Sequence, residues 1–439
     1  MEDFLRMAKE TGIEISVKDG VTAWHGPYGG NIKPNGPLVG KKIGCLVATE
    51  FSDFQAYYIA SYIGEFGGYL DFLLVDWISW KHTRPAVKEK GVVGLWGVRV
   101  DPIPVMGGNK AVNSRSARDV APEDYDALIV LGDHSGDIMG TEKEVKDLLT
   151  KAYAHGAVIG GIGGGIIPLI SSGLIKGKKC TGNVQVSFML ERIARWENAT
   201  CVEDQRIITA LSSLDTPEFV RALCRVLDPK FDDKRKGILA GKTMLLIAGW
   251  DFEDYEIAVP LMELYYRGAQ IIIGTFKGSM RAGPPLLGLD VIQGNFGMSV
   301  PLQEIPDAYY RIKDLADIRM SEFDALFIPG AFCPWNMIET GYPLKFLQQA
   351  DAQKKIISYM CHGPMAISAA GIVKNHKLTG WISCNDAVTI MGGKLVPEWA
   401  AAVDGNHVSG KTPQEIPEML DAITYALLNR SSHAHRTEY

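Results

Sequence analysis

The residues with the clearest capacity for chemistry are a cysteine and a histidine, Cys361 and His362, within the stretch SYMCHGPMAISAAG at residues 358–371. The apolar run before Cys361 predicts a buried strand, and Gly363 and Pro364 are typical of a helix start. A thiol at a strand-to-helix turn is lifted above the sheet, as in a nucleophile elbow, and the following helix N-terminus favours its thiolate. The pattern indicates a nucleophile, although a free thiol is also often an inert buried residue.

An earlier segment of the chain ends in a similar pattern of residues but lacks the cysteine and the histidine. Residues 159–173, IGGIGGGIIPLISSG, contain no acid, base, thiol or charge. The segments that complete the two stretches, SSGLIKGKKCTG and AAGIVKNHKLTG, align at a constant offset of 198 residues with five identities. These identities would be weak alone, but they indicate an internal duplication because the order of predicted elements also repeats.

Short apolar runs and helical patterns alternate along the chain, and their order appears twice. In the first half, KKIGCLVAT, YDALIVLG and AVIGGIG predict buried strands, and helical patterns separate them. In the second half, KTMLLIAG, FDALFIPG and KIISYM predict the corresponding strands. This alternation predicts an α/β fold in which each half is a mostly parallel sheet with helices on both faces. Sites in such sheets collect at the carboxyl ends of strands, where Cys361 is expected.

The predicted domain boundaries follow changes in composition. A Gly- and Pro-rich stretch precedes the first domain, and the charged stretch DPKFDDKRKGILAG separates the two domains. A length of 439 residues suits two domains better than one core. The predicted segments are an extended N-terminal arm at 1–40, a first domain at 41–228, a linker at 229–240, a second domain at 241–430 and a polar tail at 431–439.

Composition and charge exclude several classes of partner. The net charge of −6 argues against a nucleic-acid or anionic-membrane surface, because both require a basic footprint. Residues 157–175 are uncharged and long enough to span a bilayer, but their glycines and Pro168 favour a buried strand that runs into a buried helix. The seven cysteines form no C-x-x-C pair and the N-terminus has no apolar leader, so we expect a cytoplasmic protein with reduced thiols.

Three stretches of the second half together resemble a known family. SYMCHGPMAISAAGIVK is similar to the nucleophile region of the ThiJ/PfpI superfamily, which includes the Parkinsonism-associated deglycase and PfpI-type intracellular proteases. LLIAGWDFEDYE resembles that family's first strand with its acidic residue, and FDALFIPGA resembles the strand and loop that supply backbone donors. The resemblance covers residues 241–430 directly and residues 41–228 through the duplication. It implies two tandem domains of the flavodoxin-like, class I glutamine-amidotransferase-like fold.

The resemblance also implies a role for each matching residue. Cys361 corresponds to the nucleophile, and Glu253 corresponds to the carboxyl group that meets its sulfur, where partial burial raises the carboxyl pKa. The backbone amides of Gly330, Ala331 and His362 correspond to oxyanion donors. His362 is also the base in the protease-like branch. In the alternative interpretation, Glu253 is an ordinary acid in a helix's first turn and His362 only fills the turn.

One residue of the protease-like branch is missing from the second half. In that branch an acid after the PGG loop crosses a dimer interface to orient the neighbouring histidine, and the matching position here is Trp335. The first half has Asp137 at the equivalent position, within LGDHSGD. If the two halves form an intramolecular pseudo-dimer, Asp137 would orient His362 as a carboxylate does in a catalytic triad. The alternative is a solvated loop aspartate, and a further homo-oligomer is left open.

The first half lacks the chemical groups of the second. Gly163 and Gly164 stand at the positions of the cysteine and the histidine, and Ser52 stands at that of the glutamate. We interpret the first half as a degenerate domain that keeps its fold to hold, and partly to complete, the site of the second.

Four further side chains are candidates for the wall of a substrate pocket. Trp250, Trp335 and Trp381 form an apolar wall or belong to the core, and Cys333 borders the pocket or is a small loop residue. The histidines show no metal-ligand spacing, so neither a metal nor another cofactor is expected. The glycine run at 160–165 lacks the last glycine of a dinucleotide fingerprint.

Two function classes remain open from the sequence. The first is a cysteine-dependent enzyme that acts on a small electrophilic carbon of a reactive aldehyde, an amide or a nitrile-like group, with PfpI-type peptide hydrolysis as a subtype. The second is a redox-sensing, stress-protective protein in which Cys361 is oxidised to a sulfinic acid that Glu253 stabilises. The expected ligand is a small molecule in either class, and neither nucleic acid nor a membrane is expected as a partner.

Overall fold

The chain folds into two compact units. The first unit comprises residues 30–234, and the second unit comprises residues 1–29 together with residues 235–439. The change of unit after Lys234 falls inside the expected linker at 229–240. The computed structural model describes residues 5–6, 9–26, 32–78, 92–98, 100, 112–276 and 292–434.

The N-terminal segment contains a β-hairpin, whereas its composition predicts an extended arm. Strands β1 (Glu14–Lys18) and β2 (Val21–His25) pair antiparallel around Asp19 and Gly20. Both turn residues have positive φ, 53° and 78°, as the two-residue Asp-Gly hairpin turn requires. β2 also pairs with a strand at 401–404, so the hairpin belongs to the second unit's sheet. Residues 27–31 of the expected arm lie outside the described residues.

The first unit alternates strands and helices. Its strands are β3 (Lys42–Val47), β4 (Tyr69–Leu74), β5 (Val112–Ser116), β6 (Ala127–Val130), β7 (Val158–Ile162), β8 (Lys179–Cys180), β9 (Arg195–Trp196), β10 (Cys201–Asp204) and β11 (Ile207–Ala210). Its helices are α1 (Asp53–Glu65), α2 (His134–Thr141), α3 (Lys143–Ala154), α4 (Ile167–Ser171), α5 (Ser187–Ile193) and α6 (Thr216–Leu227). Seven strands form one sheet in the order β10-β11-β7-β6-β3-β4-β5, which is parallel except for the pair β10–β11.

The second unit repeats this order of elements. Its further strands are β12 (Thr243–Ala248), β13 (Gln270–Thr275), β14 (Ile292–Gln293), β15 (Ser299–Val300), β16 (Arg311–Asp314), β17 (Ala325–Ile328), β18 (Ile356–Met360), β19 (Lys377–Leu378), β20 (Lys394–Leu395), β21 (Ala401–Asp404) and β22 (His407–Gly410). Its helices are α7 (Tyr255–Tyr266), α8 (Cys333–Thr340), α9 (Tyr342–Ala352), α10 (Pro364–Ala369), α11 (Asn385–Ile390) and α12 (Ile416–Ala434). The nine-stranded sheet has the order β1-β2-β21-β22-β18-β17-β12-β13-β16.

The central strands of the second unit bring three loops together. β12, β17 and β18 are parallel neighbours, and β17 and β18 are buried at every position because helices cover both faces of the sheet. Their carboxyl ends lie at one edge of the sheet, and a loop follows each strand there. The tandem α/β fold and its mostly parallel sheets confirm the prediction from the sequence.

Two further expectations from the sequence concern the C-terminal tail and the uncharged stretch at 157–175. α12 runs to Ala434, four residues into the expected polar tail, and residues 435–439 lie outside the described residues. The uncharged stretch at 157–175 contains β7 and α4, as its glycines and proline predict. Over the described ranges, no helix is both long enough and apolar enough to cross a membrane.

Candidate active site

Cys361 lies directly after β18, at a turn whose backbone few residues adopt. Its φ is 53°, in the left-handed region, which costs a non-glycine residue roughly 1–2 kcal/mol. The Cys361 amide donates to the Gly410 carbonyl at 3.3 Å, and the Trp381 amide donates to the Cys361 carbonyl at 2.7 Å. These bonds hold the strained turn and thereby fix the direction of the thiol.

A glycine at position 330 lets a second loop approach the sulfur. A Cβ atom at Gly330 would lie 2.6 Å from Cβ and 2.9 Å from Sγ of Cys361, which leaves no room for a side chain. The next residue, Ala331, has φ 50° and forms an antiparallel bridge with Phe252. The backbone amides of Ala331 and His362 both donate to the Cys361 sulfur. Two of the three amides predicted as oxyanion donors therefore point at the Cys361 sulfur.

The carboxyl group at the sulfur belongs to Glu256. Glu256 lies in the first turn of α7, is fully buried, and shares a weak hydrogen bond with the Cys361 thiol. Its Oε2 accepts a hydrogen bond from the Gly330 amide, so this amide is occupied and is not the oxyanion donor that the resemblance implies. Its Oε1 has no other partner of good hydrogen-bond geometry among the described residues.

Glu253, which the resemblance places at the sulfur, lies just outside α7. Its carboxyl interacts with the Asn295 side chain and the Tyr255 amide. The assignment is corrected to Glu256 because α7 begins only at Tyr255, so that Glu256 is the acid on the buried side of its first turn. Glu253 still affects the site through its charge, which raises the pKa of both Cys361 and Glu256. Burial, followed by the charge of Asp254, raises the pKa of Glu253 itself to about 8.

Cys361 and Glu256 both favour their protonated forms. Burial, followed by the charges of Glu256 and Glu253, raises the pKa of the Cys361 thiol well above its usual range. Burial and the charge of Glu253 raise the pKa of Glu256 in the same way. The helix that was expected to favour the thiolate, α10, has only six residues, and it does not offset these effects. Each group therefore holds its own proton more tightly than usual, and the Cys361 thiol must lose its proton before it can act as a thiolate.

His362 completes the immediate surroundings of the sulfur. Its Nδ1 lies 3.4 Å from Cys361 Sγ, and its side chain is half-buried. Burial lowers the pKa of the ring, so His362 is neutral at pH 7 and can accept a proton. The ring of Trp381 lies 6.0 Å away between centroids and is 42% exposed, so this tryptophan stands beside the histidine at the surface.

Two of the four predicted pocket residues line one cavity. This cavity of about 380 Å³ is lined by Trp250, Asp251, Phe332, Trp335, Asn336 and Glu339. Cys333 does not line it, because its buried sulfur accepts a hydrogen bond from the Gly249 amide at 3.2 Å. Trp381 is also absent from its lining. The described part of the chain contains no group of three or more His, Cys, Asp or Glu side chains that could hold a metal ion.

Asp137, the remaining predicted site residue, belongs to the first unit. It lies in the first turn of α2, where the helix dipole favours a carboxylate, and its side chain is exposed. Its pairing with His362 would join the two units and remains a prediction.

The first unit keeps the turn without the sulfur. Gly163 has φ 55°, and Asp133, at the position of Ala331, has φ 61°. The structural counterpart of Glu256 is Gln55, whose Oε1 accepts a hydrogen bond from the Gly132 amide at 2.8 Å. Its Nε2 donates to Ser213 Oγ at 3.0 Å. The first unit has thus replaced the buried acid by an amide of the same shape.

Glu256 is the residue that sequence reasoning missed, and the duplication contains the signal for it. The stretches FSDFQ at 51–55 and FEDYE at 252–256 follow equivalent strands and align without a gap. Their middle residues, Asp53 and Asp254, each accept two backbone amides of a downstream loop. This shared arrangement fixes the register, which places Gln55 opposite Glu256.

The fold and the site define a tandem α/β protein in which one copy has a buried cysteine at the elbow and the other has a glycine there. The chain belongs to the DJ-1/PfpI family, whose sequence model matches residues 41–226 and 242–426. The match to both halves confirms the resemblance seen in the sequence.

Two curated relatives illustrate the family. Protein DJ-1 homolog D of Arabidopsis thaliana is 26% identical over 310 residues, which cover 68% of this chain and 76% of the relative. Deglycase PfpI of Pyrococcus furiosus is 26% identical over 173 residues, which cover 39% of this chain and 92% of the relative. Among solved structures, Drosophila melanogaster DJ-1beta is 19% identical with a TM-score of 0.35, covering 42% of this chain and 90% of that chain.

Proposed function

We propose that the protein is a cysteine-dependent enzyme that acts on a small electrophilic carbonyl compound, with reactive aldehydes as the first class to test. The supporting observation is the position of the Cys361 sulfur, between the Glu256 carboxyl and the amides of Ala331 and His362. Groups of this kind stabilise a nucleophile and the oxyanion it creates. Relatives named deglycases, from several archaea, also favour an enzymatic role.

The proposed first step is an addition that needs no external acid or base. The Cys361 thiol gives its proton to the neutral His362 ring, Glu256 keeps its own proton, and the thiolate attacks the carbonyl carbon. The S–C bond forms, the π electron pair moves to the oxygen, and that oxygen then takes the proton from Glu256. The product is a neutral hemithioacetal, and the amides of Ala331 and His362 lie where they can stabilise the transient oxyanion. His362 then carries the thiol proton and can return it in the next step.

The test is consumption of an aldehyde by purified protein under reducing conditions. Methylglyoxal serves as the probe, and we expect the wild-type protein to consume it and Cys361→Ser to lose this activity. Cys201→Ser is the matched control, because Cys201 is a partly exposed thiol in the first unit. Equal rates for wild type and Cys361→Ser would refute the proposal.

A second measurement separates this function from its alternatives. Intact-mass analysis of the wild type should show an adduct on Cys361 with the aldehyde. A gain of two oxygen atoms on Cys361 in peroxide, without turnover of an aldehyde, an amide or a peptide, would assign a redox role instead. Turnover of peptides but not of aldehydes would assign the PfpI-type peptidase subtype.

A further inference from the structure

The cavity beside the Ala331 loop combines aromatic rings with carboxyl groups. Trp250, Phe332 and Trp335 provide the rings, and Asp251 and Glu339 provide the acids. Phe332 is 53% exposed and Trp335 37% exposed, so both rings are open to a ligand. A volume of about 380 Å³ accommodates a small organic group.

The cavity is built on the same two loops as the active site. Phe332 directly follows Ala331, whose amide donates to the Cys361 sulfur. The Phe332 amide donates to the Asp251 carbonyl at 2.9 Å, which joins the two loops. The Asn336 side-chain amide donates to the carbonyls of Trp250 (2.7 Å) and Phe332 (3.1 Å). The walls are therefore held by hydrogen bonds to the loop that positions the oxyanion donors.

Asp251 has no basic partner in this arrangement. Its side chain is half-buried, and burial is the cause that raises the pKa of its carboxyl. No lysine, arginine or histidine of the described residues forms an ion pair with it or lowers its pKa. A partly buried carboxylate without a cation loses hydration with nothing to offset the loss, so a cationic ligand would be favoured there.

The first unit shows how the equivalent acid is satisfied when a partner is built in. Glu50 corresponds to Asp251, and both have a left-handed backbone, with φ 65° and 56°. His134 stands at the position of Phe332, and its Nδ1 lies 2.9 Å from Glu50 Oε2. In the second unit this imidazole is replaced by an aromatic ring, and Trp335 adds another ring where the first unit has Asp137. The unit with the nucleophile thus has aromatic faces where the other unit has a histidine within hydrogen-bond distance of the acid.

We propose that this cavity binds an organic nitrogen cation, and that the carbonyl substrate bears such a group. A substituted ammonium or guanidinium placed among the rings would gain cation–π attraction and would neutralise Asp251. The cation-binding site stands on the cavity alone, whereas its role in substrate choice rests on the proposed function at Cys361.

The first experiment tests the cavity without any chemistry. Ligand-observed NMR titrations compare the tetramethylammonium ion with 2,2-dimethylpropan-1-ol, a neutral compound of similar shape. We expect the ion to bind at least about tenfold more tightly, and Asp251→Asn and Trp335→Leu each to weaken it by about three- to tenfold. Trp196→Leu is the matched control, because Trp196 is a partly exposed tryptophan of the first unit that does not line the cavity. Equal binding of the two probes, or unchanged binding in both cavity variants, would overturn the proposal.

The second experiment connects the cavity to the reaction. Trimethylammonioacetaldehyde and 3,3-dimethylbutanal differ only in the quaternary nitrogen, and the ratio of their kcat/KM values is measured in each protein. We expect a ratio that favours the cation in the wild type and in Trp196→Leu, and that falls about three- to tenfold in Asp251→Asn. An identical ratio in all proteins would overturn the substrate role. Cation binding without turnover of either aldehyde would instead count against the proposed function and leave the cation site intact.

Discussion

The two elbows of the chain share a backbone and differ in chemistry. The φ angles of Gly163 and Cys361 are 55° and 53°, and those of Asp133 and Ala331 are 61° and 50°. Glycine adopts this conformation without cost, whereas a cysteine is strained by it. The second unit therefore tolerates a strained residue at the one position where a thiol projects from the sheet, which indicates that the position of the sulfur is functional.

The buried side chains beneath the two elbows make the same hydrogen bond but differ in whether they can ionise. Gln55 and Glu256 accept a hydrogen bond from equivalent loop amides, those of Gly132 and Gly330. Only Glu256 can gain or lose a proton. Both units thus place a hydrogen-bond acceptor at this position, and we expect the acid of the second unit to serve the proposed chemistry.

Copying the first unit's glycine into the second should have the largest effect. We expect Cys361→Gly to lower kcat at least about a thousandfold, because it removes the nucleophile. The free energy of unfolding should stay within about 1–2 kcal/mol of wild type, since glycine relieves the strained φ. Aldehyde turnover and urea unfolding measure the two quantities. Turnover near the wild-type rate would show that the elbows do not differ in the way described.

Copying the first unit's amide should have the next largest effect. We expect Glu256→Gln to lower kcat/KM by roughly 10²- to 10⁴-fold, because an amide cannot supply the proton that the proposed step transfers from Glu256 to the carbonyl oxygen. The fold should be kept, since the amide oxygen can accept from Gly330 as Gln55 does from Gly132. Glu253→Gln is the matched comparison and should have a smaller effect. A larger loss in Glu253→Gln than in Glu256→Gln would restore the assignment made from the sequence.

An intermediate effect is expected for Asp137, the acid that the emptied half retains. If Asp137 orients His362, Asp137→Asn should reduce activity by roughly ten- to a thousandfold and should lower the His362 pKa measured by NMR. Asp147→Asn provides a control, because it changes another aspartate on a first-unit helix, one that is partly exposed and paired with Lys143. An unchanged His362 titration in Asp137→Asn would leave the first unit as scaffold only.

The smallest expected effect is the contribution of Glu253 to the pH dependence of the free energy of unfolding. The pKa of Glu253 is raised from 4.5 to about 8, so the folded protein binds this proton more tightly than the unfolded chain. The folded state is therefore favoured below the unfolded value, and this contribution is lost as pH rises from 4.5 to about 8. We expect Glu253→Gln to lose less stability than wild type between pH 5 and pH 8 in urea unfolding. Parallel stability curves for the two proteins would contradict this.

Local patterns predicted the duplication, the parallel sheets and the elbow, because strand periodicity and the residues that follow Cys361 are short-range signals. The hairpin at residues 14–25 was also encoded locally, in Asp19 and Gly20, but the nearby Gly- and Pro-rich stretch favoured an extended arm. Its pairing with β21 depends on residues almost 400 positions away, which no local pattern specifies.

The choice between Glu253 and Glu256 could not be made from spacing alone. The two acids lie about one helical turn apart, so either could face the sulfur until the first residue of α7 is known. The protonation of Cys361 was also beyond the sequence, because α10 is short and because burial and two nearby carboxyl groups dominate. Such effects depend on distances between segments far apart in the chain.

The N-terminal hairpin, β1 and β2, can join its sheet only after a strand near the other end of the chain has been synthesised. β1 and β2 are synthesised before their partner β21, and the entire first unit and most of the second lie between them. Trp24, fully buried against Tyr425 of α12, cannot reach its native surroundings before that helix exists. A nascent chain that stops short of Ala401 would therefore display an unmatched hairpin with an exposed tryptophan. Burial of Trp24 thus requires that β21 and the part of α12 up to Tyr425 have been made.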